Sequence, residues 1–160
     1  MKEFSADHMP IAVSLNRISK QFLGAFSATL NAIELERYFY PLLLIHDHKG
    51  LLSQQELAEL LFIDKVYIVR IVDFLSKKKL IKRTTNPEDR RKHLLVMTEK
   101  GNELIPAIKK GFKEIHTTSI ANISEKDLVV FSKCIKQMLF NLSSIPADSI
   151  SVEYKYKKTT

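Results

Sequence analysis

The residues of this sequence best suited to chemistry are cations that can grip a polyanion. Asp89-Arg90-Arg91-Lys92 form one short run, and Lys65 and Arg70 stand upstream with Val66, Tyr67 and Val69 interleaved. Guanidinium and ammonium groups donate to phosphate oxygens, and an arginine fork also matches the O6/N7 edge of guanine. From Asp64 to Lys92 there are ten Lys/Arg against four Asp/Glu, a local net charge of +6, while the whole 160-residue chain carries +7. Nearly all of the positive excess is thus focused in 29 residues. Such focusing favours a nucleic-acid footprint over a generally basic surface.

Other chemistry is poorly supplied. There is no Gly-rich phosphate loop, no metal-ligand spacing and no nucleophile beside a base, so neither catalysis nor a cofactor is expected. His46-x-His48 resembles part of a metal site, but without a nearby Cys or third ligand it reads as a solvated helix end. Cys134 is the single cysteine, which excludes an intrachain disulfide and suits a buried structural thiol. Met1 to Pro10 lacks the apolar core of a signal peptide, and no run approaches the roughly 18 apolar residues of a membrane span. A cytoplasmic protein with no membrane partner is expected.

The cations need a scaffold, and the apolar pattern describes one. Apolar content of 45% with 27% charged residues is that of a globular chain, and its length suits one domain over residues 1–160. Ile11, Leu15, Ile18, Phe22, Phe26 and Leu30 fall on one stripe of a helix over 10–31. A second helix over 34–48 contains Pro41, which predicts a late start or a kink. Ser53 and Glu56 make a capping box that opens a short helix, Gln54 to Leu61. Asp64 caps the next, whose buried stripe is Ile68, Ile71, Val72 and Leu75. Ile81 to Thr85 and His93 to Met97 read as strands joined by the polar loop Asn86 to Lys92. Thr98 and Ser124 begin two further helices, with stripes Ile105, Ile108, Phe112, Ile115 and Leu128, Phe131, Ile135, Met138, Leu142. The polar tail from Ser143 is expected to fray.

Short helix, tight turn, second helix and basic hairpin, in that order, make a winged helix-turn-helix. The fold expected is mainly α, with a two-stranded wing and long helices on either side. The second helix of such a unit enters a major groove about 12 Å wide, and the hairpin reaches towards neighbouring backbone or minor groove.

Gln55-Glu56-Leu57-Ala58, Ile63-Asp64-Lys65, Arg70 to Leu75, Lys77 to Lys82, Asn86 to Lys92 and Leu95 to Gly101 follow one another at set separations. Over residues 53–104 this succession resembles the helix-turn-helix, wing and strand-to-helix return of the MarR family. The resemblance implies a transcriptional regulator, most often a ligand-responsive repressor, binding a palindromic operator in double-stranded DNA as a homodimer. It makes 10–33 and 101–145 dimerisation helices around a winged lobe at 34–100. Packing of both apolar stripes within one protomer is the alternative.

Carried over position by position, the resemblance makes Arg91 the wing arginine that enters the minor groove, with Asp89 orienting it. Arg90 and Lys92 are phosphate contacts or exposed charges. Arg70 matches the recognition-helix arginine and binds phosphate or guanine, unless it pairs with Asp73. Lys65, Val66, Tyr67 and Val69 complete the DNA-facing set. The family also binds small, frequently aromatic anions where dimer helices meet the lobe; Phe22, Phe26, Tyr38, Phe39 and His46 are the candidate lining, or else plain core. Its peroxide-sensing members carry a reactive Cys near the N-terminus, which this chain lacks.

Two departures stand out. Phe62 occupies the position after the first helix of the motif where the family usually has Gly, which predicts an altered turn or about 1 kcal/mol of strain. Val66, Tyr67 and Val69 replace the usual hydroxyl residues, and valine can meet a thymine methyl but cannot hydrogen-bond a base. These residues also suit a second reading, a winged-helix protein-interaction module that has lost sequence-specific DNA reading.

Overall fold

The computed structural model describes residues 11–33, 35, 38–90 and 92–146. In chain order these form α1 (Ile11–Thr29), a 3-10 turn (Asn31–Ile33), α2 (Phe39–Asp47), β1 (Leu52–Ser53), α3 (Gln54–Leu61), α4 (Lys65–Lys77), β2 (Ile81–Thr85), β3 (His93–Met97), α5 (Glu99–Ser119) and α6 (Glu125–Ser143). Residues 34, 36 and 37 of the expected second helix, and the tail beyond 146, lie outside the described residues.

Local chemistry sets most of these boundaries. The Ser53 hydroxyl accepts from the Glu56 N–H at 3.3 Å, and the Glu56 carboxylate accepts from the Ser53 N–H at 2.8 Å, closing the capping box. One Asp64 carboxylate oxygen accepts from the Val66 and Tyr67 N–H groups at 2.8 and 2.7 Å. Thr98 accepts from the Gly101 N–H at 3.1 Å, and Ser124 from that of Asp127 at 3.1 Å. Each cap supplies an acceptor to a donor left unpaired by the helix. Pro41 sits in the first turn of α2, where its missing N–H has no intrahelical role. The helix starts late, as the proline predicts.

β2 and β3 pair as an antiparallel hairpin from Ile81↔Met97 to Thr85↔His93. β1 adds a third strand on the other edge of β3, through Leu52↔Leu95 and Ser53↔Leu94, giving the order β1-β3-β2. The base of the wing is therefore three-stranded, one strand more than the sequence suggests. Leu42, Ile45, Leu57, Val72, Leu75, Leu95 and Ile108 are fully buried and join α2 to α5 and β3 in one core. Burial of each such side chain contributes roughly 1.5–3 kcal/mol.

The root of the wing is locked to α5. Thr98 donates its hydroxyl to the Lys79 carbonyl at 2.7 Å, and its N–H to the Leu80 carbonyl at 3.0 Å. Gly101 lies so close to the Leu80 carbonyl that an added Cβ would collide with backbone. Only glycine permits that approach.

The outer helices behave differently. No residue of α6 is buried, and only Ser27 is buried in α1. The expectation of a buried Cys134 is corrected: the thiol is exposed, because nothing in the single chain covers its face of α6. Among the described residues no helix is long and apolar enough to cross a membrane.

Candidate nucleic-acid interface

The turn between α3 and α4 aims the second helix. Phe62 ends α3 at φ 52°, ψ 45°, in the left-handed region. Its N–H donates to the Glu59 carbonyl at 3.2 Å and the Ile63 N–H to that of Ala58 at 3.1 Å, the paired closure usually built on glycine. A side chain with a Cβ is strained there, and Phe62 is 93% exposed, so no packing of its ring offsets the cost.

α4 buries Ile68, Ile71, Val72 and Leu75 against the core. The opposite face then presents Lys65, Val66, Val69, Arg70 and Asp73 to solvent. Tyr67 differs from its neighbours in being half-buried against the core. The expected DNA-facing residues of the helix, Tyr67 aside, thus share one exposed face.

The wing tip is organised by Asn86. Its carboxamide oxygen accepts from the Glu88 N–H at 2.9 Å, and its own N–H donates to the Lys92 carbonyl at 2.9 Å. The Lys92 N–H donates to the Asp89 carbonyl at 2.9 Å, closing the tip. Arg90 and Lys92 are exposed and Asp89 is half-buried. Arg91 lies outside the described residues, and with it the expected role of Asp89 in orienting it.

Helix and wing are tied by a contact that sequence reasoning missed. The Arg83 guanidinium on β2 donates to the Asp73 carboxylate of α4 at 2.6 Å. Beside this link, Gln54, Gln55, Glu59, Arg83, Lys92 and His93 line a polar groove of about 470 Å3 between α3 and the wing. The Glu56 carboxyl at its edge is held below its ordinary pKa, first by the Ser53 backbone N–H and then by the Ser53 hydroxyl.

The five candidate effector residues do not converge. Phe26 and Phe39 meet at an apolar cavity of about 230 Å3 completed by Leu23, Tyr40 and Phe112, with Phe26 stacked on Phe112 at 4.1 Å. Phe22 lines a larger groove of about 960 Å3 with Ile18, Ile115, Ile123, Leu128 and Phe131. Tyr38 is buried edge-on against Phe74 at 4.9 Å. His46 bonds Asp47 at 2.8 Å at the end of α2, and Lys109 of α5 reaches the same carboxylate at 3.0 Å. His48 bonds the Leu44 carbonyl at 2.7 Å. Among the described residues no group of three or more His, Cys, Asp or Glu could hold a metal ion.

Known proteins share this arrangement. A sequence model of the MarR family matches residues 35–92, from the residues before α2 to the end of the wing tip. The uncharacterized HTH-type transcriptional regulator YdgJ of Bacillus subtilis (strain 168) is 25% identical over 147 residues, which span 92% of this chain and 88% of that protein. The fold recurs in S. aureus MepR, solved in complex with DNA, at TM-score 0.78, 20% identity and coverage of 84% of this chain and 99% of that one. It recurs also in Bordetella bronchiseptica BpsR, whose DNA binding is regulated by 6-hydroxynicotinic acid, at TM-score 0.70, 20% identity and coverage of 89% and 99%. Over residues 35–92, its winged-helix lobe, this chain is thus similar to the MarR family.

Proposed function

We propose that the chain is a DNA-binding repressor that occupies a two-fold operator as a homodimer and leaves it when a small aromatic anion binds. The observation that carries the reading is the exposed α4 face of Lys65, Val66, Val69 and Arg70, flanked by exposed Arg90 and Lys92 on the wing. α4 enters the major groove, and the wing meets the adjoining backbone and minor groove. The like-folded MepR, solved with DNA, supports this docking.

The outer helices supply the dimer. α6 has 19 residues and none is buried, while a helix in a protein draws most of its stability from packing of its apolar face. Phe131, Leu139, Phe140 and Leu142 are each more than half exposed, and Ile11, Val13 and Ile18 of α1 are also uncovered. A second copy laid over residues 10–33 and 101–145 covers these faces and sets two reading heads about a two-fold axis. The cavity at Phe26, Phe39 and Phe112 suits the ring of an aromatic effector. Binding there lowers DNA affinity only by favouring one spacing of the heads over another.

Fluorescence anisotropy on the DNA upstream of the protein's own gene, with sedimentation of the free protein, tests this reading. A dimer that binds that DNA, and a Phe131→Glu variant that loses dimerisation and binding together, are expected. A monomer with wild-type affinity would contradict the reading. The exposed Phe62, Val66 and Val69 favour the alternative, a protein-docking module. Steep salt dependence of the DNA complex separates the two.

A further inference from the structure

We infer that Val66 and Val69 select thymine, their side chains seating thymine 5-methyl groups in the major groove. The inference rests on the reading of α4 as the groove-entering helix. Val66 is 67% exposed and Val69 40% exposed, on the face opposite buried Ile68, Ile71 and Val72. β-branched residues at exposed helical positions are weak helix formers. Val66 leaves most of its surface uncovered and Val69 two-fifths of its own, and packing within the chain does not account for these exposed portions.

The surroundings specify the occupant. Lys65 and Arg70 flank the valines on the same exposed face, and Arg90 and Lys92 stand exposed on the wing. An apolar pair framed by cations fits a surface with phosphates at its edges and carbon groups at its centre. The thymine methyl is the apolar group that the major groove presents, and no other unmodified base carries it. The N-terminus of α4 offers little to a phosphate, since Asp64 already accepts from the Val66 and Tyr67 N–H groups. Asp73, the acceptor on this face that could take a cytosine amino group, is held by Arg83 at 2.6 Å. Cationic donors on this face can reach guanine O6/N7 and thymine O4 alike, so they do not single out thymine. Only the valines can read its methyl group.

The test uses the full-length protein and the tightest duplex recovered from a randomised pool, synthesised once with thymine and once with deoxyuridine. The substitution deletes methyl groups and leaves base pairing and phosphate charge intact. Wild type should lose about fourfold in affinity for each methyl seated, the equivalent of one buried carbon. The slope of affinity against salt should not change, because the number of phosphate contacts is the same. A Val66→Ala/Val69→Ala variant should bind both duplexes alike, whereas Arg90→Ala should weaken both and keep their ratio. Equal wild-type affinity for the two duplexes overturns the inference and leaves the regulator reading standing. Recovery of no duplex even at low salt overturns both. The wild-type comparison needs no variant, so a folding defect cannot imitate the result.

Discussion

Arg83 of the first wing strand bonds Asp73 of α4 at 2.6 Å, joining the two elements that flank the proposed groove contact. Both side chains are partly exposed, with 35% and 59% of their surface accessible. The pair therefore contributes less than about 1 kcal/mol to stability. Its consequence is geometric, since it ties the exposed face of α4 to the first strand of the wing.

Asp73→Asn gives this idea a sharp test. Removing a negative charge beside DNA should tighten binding if electrostatics alone mattered. Loss of preorganisation predicts the opposite, a weakening of about fivefold, the order of ~1 kcal/mol of ordering now supplied on binding. Arg83→Ala combined with Asp73→Asn should restore nothing. Affinity titrations of the variants decide the sign, and unchanged melting confirms that the fold is intact.

Phe62→Gly should stabilise the protein. Phe62 is strained at φ 52° and 93% exposed, so glycine relieves the left-handed penalty and sacrifices almost no packing. A gain of about 1 kcal/mol is expected, against which the greater freedom of glycine in the unfolded chain is a partial offset. Thermal unfolding at fixed protein concentration should show a rise of a few degrees for Gly and none for Phe62→Ala. A lower melting temperature for Phe62→Gly would mean that the ring has a structural role that its exposure does not reveal.

Acid should weaken the start of α3. The Glu56 carboxyl is held below its ordinary value of 4.5 by donation from the Ser53 backbone N–H, then by the Ser53 hydroxyl. A depressed folded-state pKa contributes stability that is present above the unfolded value and lost as pH falls through the folded one. Wild type should therefore lose its advantage over Glu56→Gln as the pH drops below 4.5. A difference that stays constant through that range would show that the carboxylate is not held in the cap.

Ser53, Asp64, Thr98 and Ser124 were legible in the sequence because capping is chemistry between near neighbours. Pro41 announced the late start of α2 for the same reason. β1 was not legible: two residues carry no alternation, and Ser53 already reads as a cap, so only docking against Leu94 and Leu95 makes a strand there. The Asp73–Arg83 link was missed because its partners come together only when β2 folds back beside α4. Cys134 misled because a residue beside an apolar stripe is buried only where something covers the stripe. Phe26 and Phe39 share a cavity that Phe22, Tyr38 and His46 do not line, since helical spacing cannot tell which of two neighbouring grooves an aromatic ring will enter.

The most direct test of the account is the salt dependence of DNA binding by wild type and by an Arg90→Ala/Lys92→Ala variant. Counterion release predicts that log K falls linearly with log salt, and that each phosphate contact removed reduces the slope by about one. The account predicts a steep wild-type slope and a shallower one for the variant. Binding that ignores salt, or a variant slope equal to that of wild type, would contradict it.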